Sequence, residues 1–200
     1  RFGIDEDLEG ITLAGATDAL IARLLLEKHD LPVTPENVTA LMDAYLSALP
    51  GRLPLHEGRL LPGIVALLDC LKAREDCVLA LLTGNLVRGA KLKLAHYGVW
   101  DYFEFGAFAD DHHDRNELGG FARSRAEEKH GREIALADVM VIGDTPRDIE
   151  CGRVIGARTV AVATGNYSWK ELQALAPDLL FDDLSDTAAV VKALVGEAEG

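Results

Sequence analysis

The chain divides into two parts that differ in how apolar and polar positions alternate. From residue 1 to about 60 the pattern is helical only. Leu20, Ile21, Leu24, Leu25 and Leu26 recur at the three-to-four spacing of one helix face. Leu31-Pro32-Val33 interrupts that face, and Thr34-Pro35-Glu36 restarts a helix, with a capping hydroxyl followed by a proline suited to the first helical position. This second helix is expected to run to Leu49 and to end at Pro50-Gly51. Residues 50–63 contain Pro50, Pro54, Pro62, Gly51, Gly58 and Gly63, which makes them the one candidate domain boundary. The reading is a helical domain at 1–60 and a second domain at 61–200.

After Pro62 the pattern alternates between strands and helices. A helix at 64–74 leads to an apolar strand at 78–82, a helix at 86–96 stopped by Gly98, and a short strand within 102–108. A helix at 118–130, a strand at 139–143 and a helix opened by Pro146 follow. Strands at 159–163 and 179–181 and a helix at 187–195 complete the pattern. Strands separated by helices of this length predict βαβ units and a parallel sheet, an α/β fold.

The stretch DVMVIGDTPRD, residues 138–148, carries the most chemistry. Five apolar or glycine residues end abruptly at Asp144, and Asp148 follows four residues later. The apolar run reads as a buried parallel strand. Thr145 and Pro146 read as the cap and first residue of the next helix. Both carboxylates then lie at the C-terminal edge of the sheet, where open α/β sheets bind ligands. Two carboxylates so close repel unless a cation lies between them, and oxygen ligands of this kind suit Mg²⁺. The bland alternative is a solvated loop with Asp148 in the first helical turn, favoured there by the helix dipole.

Two further strand ends offer groups that match. Thr83, Gly84 and Asn85 follow an apolar strand, and a hydroxyl with N–H groups before a helix can cradle phosphate. Thr83 serving only as a helix cap is the competing reading. Arg115, in the loop ahead of a helix, can neutralise a phosphate, or can be a surface residue. The intervening Asp110, Asp111, His112, His113 and Asp114 read better as a solvated loop than as a metal cluster, because adjacent residues point in different directions.

Composition narrows the partners. A net charge of −13 argues against nucleic acid and anionic membranes, and means that any anion site must be built locally. No apolar run approaches the roughly 18 residues of a membrane span. Three cysteines without metal-type spacing fit a reduced, cytoplasmic setting.

LLTGN, a basic residue before a helix, and VIGDTPRDI together resemble motifs two, three and four of the haloacid dehalogenase-like hydrolases. AGATDALI resembles the first cap helix of the phosphoglycolate phosphatase-like branch, and LLPGIVALLDCLK the return from cap to core. The resemblance implies a Rossmann-like three-layer core with a mostly parallel sheet and an inserted α-helical cap. It also implies a Mg²⁺-dependent phosphatase acting on a small phosphorylated metabolite through an aspartyl-phosphate, as a monomer or homodimer. Thr83 then holds the phosphate with Gly84 and Asn85, Arg115 stands where a Lys is usual, and Asp144 and Asp148 fix Mg²⁺. Thr17 and Asp18 are the candidate substrate contacts from the cap. The first motif of the family, Asp-x-Asp after an apolar strand, has no match: Asp5-Glu6-Asp7 has the right letters without the strand. The expectation is that about 20 residues carrying nucleophile and general acid lie upstream of Arg1, and that the chain alone is inactive. The alternatives are a phosphate-binding protein without catalysis and a haloacid dehalogenase; the paired carboxylates favour phosphoryl transfer over the latter.

Overall fold

In a computed structural model of the protein, residues 2–3, 8–55 and 57–196 are described, so Asp5 and Asp7 lie outside the described residues. The first part of the chain is a pair of packed helices, α1 (Asp18–Lys28) and α2 (Pro35–Arg52). Thr17 and Thr34 cap them by accepting from Leu20 N and Asn37 N. Leu26, fully buried, packs with Ala22 and Val38 in a small core of the pair's own. The helix α2 does not stop at Pro50 but runs to Arg52 and into a 3-10 turn at Leu53–Leu55. Pro50 lies in the last turn, where its missing N–H removes one bond near an end that is already short of them, and Leu53 N still closes on Leu49 O.

The remainder alternates as expected, with one helix more than the sequence pattern indicated, α7: α3 (Ile64–Lys72), β1 (Ala80–Leu82), α4 (Val87–His96), β2 (Phe105–Ala107), α5 (Arg115–His130), β3 (Met140–Gly143), α6 (Pro146–Val154), β4 (Arg158–Val162), α7 (Trp169–Ala174), β5 (Leu179–Phe181) and α8 (Thr187–Val195). All pairings are parallel, β1 with β2 and β3 with β4 with β5. One face of the larger sheet packs Val160 and Val162 against Leu67 and Leu71 of α3 and Val190 and Leu194 of α8. The other face packs Ala161 against Ile149 of α6 and Leu172 of α7. The result is a three-layer α/β/α core. The helix α5 lies against β1, β2 and α6 and bridges the two sheets on one side.

The helix pair is docked on the strand-end side of this core. Ala19 and Leu46 pack against Leu86 and Ala109, with Met42 and Tyr45 around them. No helix among the described residues is long and apolar enough to cross a membrane.

Replacing Leu26 by Ala is expected to cost about 2–5 kcal/mol, because a buried leucine in a small core leaves a cavity. An unchanged urea midpoint for Leu26→Ala would contradict the packing of α1 on α2.

Candidate active site

The strand β3 ends at Gly143, and the chain turns at once into α6. Asp148 folds back so closely that a side chain at Gly143 would overlap it; a Cβ there would sit 2.1 Å from the carboxylate carbon. The Asp148 carboxylate is buried, and both of its oxygens are hydrogen-bonded. One oxygen accepts from Thr145 N–H at 3.0 Å and from the Thr145 hydroxyl at 2.8 Å, and the other accepts from Arg115 Nη2 at 2.5 Å. The Arg115 and Asp148 side chains are 12% and 7% exposed. Arg115 is the first residue of α5, which Asp114 caps, so it is helical and not in the loop where the sequence placed it. Its Nε is a buried donor without a hydrogen-bond partner, the kind of atom that calls for a bound acceptor.

Asp144 stands next to this pair at the strand end. Burial, and then the charge of Asp148, push its carboxyl above the ordinary value. Its oxygen lies where a side chain at Gly165 would be, 2.0 Å from a Cβ built there, so the loop after β4 leaves room for it only because residue 165 is glycine.

At the end of β1, Thr83 N–H completes the ladder to Ala107 O. The Thr83 hydroxyl oxygen accepts from Asn85 N–H at 3.2 Å and from Asn85 Nδ2 at 2.7 Å. Leu86, not Thr83, is the N-cap of α4. Two N–H groups at the start of that helix are already taken by carboxylates. Leu86 N donates to Asp18 Oδ2 at 2.8 Å and Val87 N to Asp110 Oδ2 at 2.6 Å.

Thr83, Gly84, Asn85, Arg115, Asp144 and Asp148 line one cleft of about 770 Å³, within the range of ligand pockets. Asp18, Ile21, Met42 and Tyr45 of the helix pair line it from above. The structure therefore brings together the strand-end groups that the sequence singled out. Thr17 is different: it is fully buried, donates to His113 O at 2.5 Å, accepts from Leu20 N, and does not reach the cleft. It clamps the start of α1 to the core, and its hydroxyl is taken up there instead of facing the cleft. Asp18 reaches the cleft with its carboxylate committed to Leu86 N–H, and its own N–H donates to Gly84 O at 2.6 Å.

Sequence reasoning missed Lys93, Tyr45 and Gly165. Lys93 lies seven residues after Leu86 and thus on the same face of α4, a spacing that puts it beside the strand end. Its ammonium donates to Asn85 Oδ1 and lies 5.6 Å from the Tyr45 ring centre. Nothing local marks Gly165 or Tyr45.

The sequence model of the HAD-hydrolase-like family matches residues 118–187. A Dickeya dadantii protein named "Probable phosphatase IndB" is 30% identical over 169 residues, covering 82% of this chain and 70% of that protein. The phosphoglycolate phosphatase of Synechococcus elongatus is 29% identical over 137 residues, 68% of this chain and 61% of its own length. Among solved structures, a hydrolase from Pseudomonas syringae superposes with a TM-score of 0.67 at 22% identity, covering 90% of this chain and 80% of its own.

Burial pushes the Asp18 carboxyl above its ordinary value, although Leu86 N–H and Lys93 pull it back. A raised pKa means that the folded state favours the protonated form. Its stabilising contribution is complete below the unfolded pKa and is lost as pH rises through the raised one. Asp18→Asn, which keeps an acceptor without charge, is thus expected to be at least as stable as the parent at neutral pH, with the advantage shrinking in mild acid. Asp18→Ala strands Leu86 N–H and is expected to cost about 1–3 kcal/mol. Urea midpoints of the three proteins at the two pH values check both signs.

Proposed function

Because the chain belongs to the phosphatases of the haloacid dehalogenase-like hydrolase family, we propose that its cleft holds a small phosphate monoester for Mg²⁺-dependent hydrolysis. The observation that carries this reading is the convergence of the Thr83 hydroxyl, the Arg115–Asp148 pair and Asp144 at the ends of β1 and β3 in a single cleft.

The residues present fit Mg²⁺. The donor set is two carboxylates without nitrogen or sulfur, Asp144 is raised by burial and by Asp148, and Gly165 leaves room at its oxygen. Asp144 and Asp148 would hold the ion, Asp148 with its orientation fixed by Arg115 and Thr145. When bound, Mg²⁺ supplies positive charge against the phosphoryl oxygens. The Thr83 oxygen already accepts two hydrogen bonds, so its own proton is available to a phosphoryl oxygen. Arg115 adds a fixed positive charge and the unpartnered Nε. Residues 1–60 act as a cap: α1 and α2 roof the cleft, and their closure would exclude water from the phosphoryl group.

The nucleophile in this reading is a carboxylate on a strand seated between β1 and β3. Among the described residues β1 pairs only with β2, and β3 pairs with β4 on one side only. Leu82 and Ile142, facing strand residues of the two, border the same cleft, and Ile142 is 40% exposed, unusual for an aliphatic residue in a parallel strand. Attack on phosphorus from such a strand forms an aspartyl-phosphate as the ester oxygen departs, and water then releases phosphate. Asp144 and Asp148, as the residues that would hold the metal, would be poor attackers. Phosphoglycolate is one candidate substrate, supported by the Synechococcus relative. The three free cysteines support a reduced, cytoplasmic setting.

Mg²⁺ at about one hundred times its Kd is expected to stabilise the parent by about 2.7 kcal/mol, and to leave Asp144→Asn unmoved. An equal thermal shift in both would remove Asp144 from the metal site. Aryl phosphate turnover with Mg²⁺ is expected only when the chain is extended by an apolar strand ending in Asp-x-Asp. Equal turnover by the 200-residue chain would sink the assignment of the nucleophile.

A further inference from the structure

Three hydrogen-bonding groups run from the cap–core junction to the phosphate cradle: Lys93, Asn85 and Thr83. The direction of each bond is fixed by chemistry. An ammonium only donates, so the atom of Asn85 that meets Lys93 is the amide oxygen. That choice turns Asn85 Nδ2, which only donates, toward Thr83. The Thr83 oxygen is then an acceptor twice over, from Nδ2 and from Asn85 N–H, and its proton is excluded from both of those directions.

Nothing else about Asn85 dictates this orientation. Its N–H and C=O are used in the loop, the carbonyl accepting from Ala109 N at 3.0 Å, but these bonds do not distinguish the two ends of the side-chain amide. With Lys93 absent, a flipped amide would present its oxygen to Thr83, and the hydroxyl would donate inward to Asn85. The cradle would then offer a lone pair to an anion where it now offers a proton.

Lys93 itself is half-buried and held from above. The Tyr45 ring of α2 lies over its ammonium at 5.6 Å, and the charge of Asp18 acts on the same corner. Both contacts come from the helix pair, so the lysine is placed by the cap while it acts on the core.

We propose that Lys93 is a positioning residue which, through the amide of Asn85, points the Thr83 hydroxyl proton into the cleft toward a bound phosphate. The inference rests on the phosphatase reading for its consequence, but the hydrogen-bond relay stands apart from it.

Two measurements test it. In ¹⁵N spectra the Asn85 side-chain amide is expected to show two well-separated, exchange-protected protons in the parent. Lys93→Met is expected to move both toward solvent-exposed shifts and to speed their exchange with water, and an unchanged Asn85 amide overturns the relay. The second is a double-mutant cycle on Lys93→Met and Thr83→Val, read as binding of inorganic phosphate with Mg²⁺. Lys93→Met is expected to weaken phosphate about tenfold in the parent, the size of a lost hydrogen bond to a charged group, and less than twofold in Thr83→Val. Equal losses in both backgrounds overturn the inference, since they mean that Lys93 acts on the anion directly. If Lys93→Met does not fold, Lys93→Ala, which also has no donor for Asn85, is measured in its place against the same outcomes. A parent that binds no phosphate would count against the phosphatase reading, while the Asn85 spectrum would still decide the relay.

Discussion

The buried carboxylate of Asp148 is the contact on which the rest of the site depends. It ties three pieces of chain together: the N-terminus of α6 through Thr145, the first turn of α5 through Arg115, and the end of β3 through its contact with Gly143. Removing one partner of a buried, hydrogen-bonded charge pair leaves the other uncompensated, which is far costlier than the pair is worth. The arrangement therefore persists as a unit. Arg115 cannot wander as a surface arginine would, and Asp144 is left half-buried beside a carboxylate held in place.

The helix pair is attached by the same use of polar groups. Thr17 and Asp18, adjacent in sequence, spend a hydroxyl, an N–H and a carboxylate on three different parts of the core: His113, Gly84 and Leu86. With Asp110 on Val87 N–H, the start of α4 is already neutralised by two acids. Part of a helix N-terminus, a place suited to holding a phosphate, is thus used here to seat the helix pair through Asp18. The chain around it carries a net charge of −13, which repels anions at a distance.

What the sequence discloses is what is local. Thr145-Pro146, Thr34-Pro35 and the apolar run before Asp144 carry their signals in consecutive residues, and each element forms where those signals put it. The αβ alternation gives the parallel sheet, because no short connection can join parallel neighbours. The helix α7 went unseen in the sequence: six residues are too few to show a period, although Ser168 and Glu171 form a capping box at its start. The remainder was not readable because it is made by distant segments meeting. Asp148 looks like a metal ligand in sequence, and its burial under Arg115, 33 residues away, appears only in three dimensions. Thr17 has the look of a contact at the mouth of a pocket, yet its hydroxyl is consumed by a carbonyl 96 residues on. Lys93 has no motif around it at all.

Gly165 shows how far such a site reaches beyond the residues that do its chemistry. It lies 21 positions after Asp144, on the loop that follows a different strand, and its lack of a side chain is what leaves space for the Asp144 carboxylate. Even an added methyl group there would force that carboxylate to swing aside. The loop between β4 and α7 is thereby a back wall of the cleft. Evolution, or an engineer, has a way of retuning or closing the site from behind while every ligand and every cation keeps its identity.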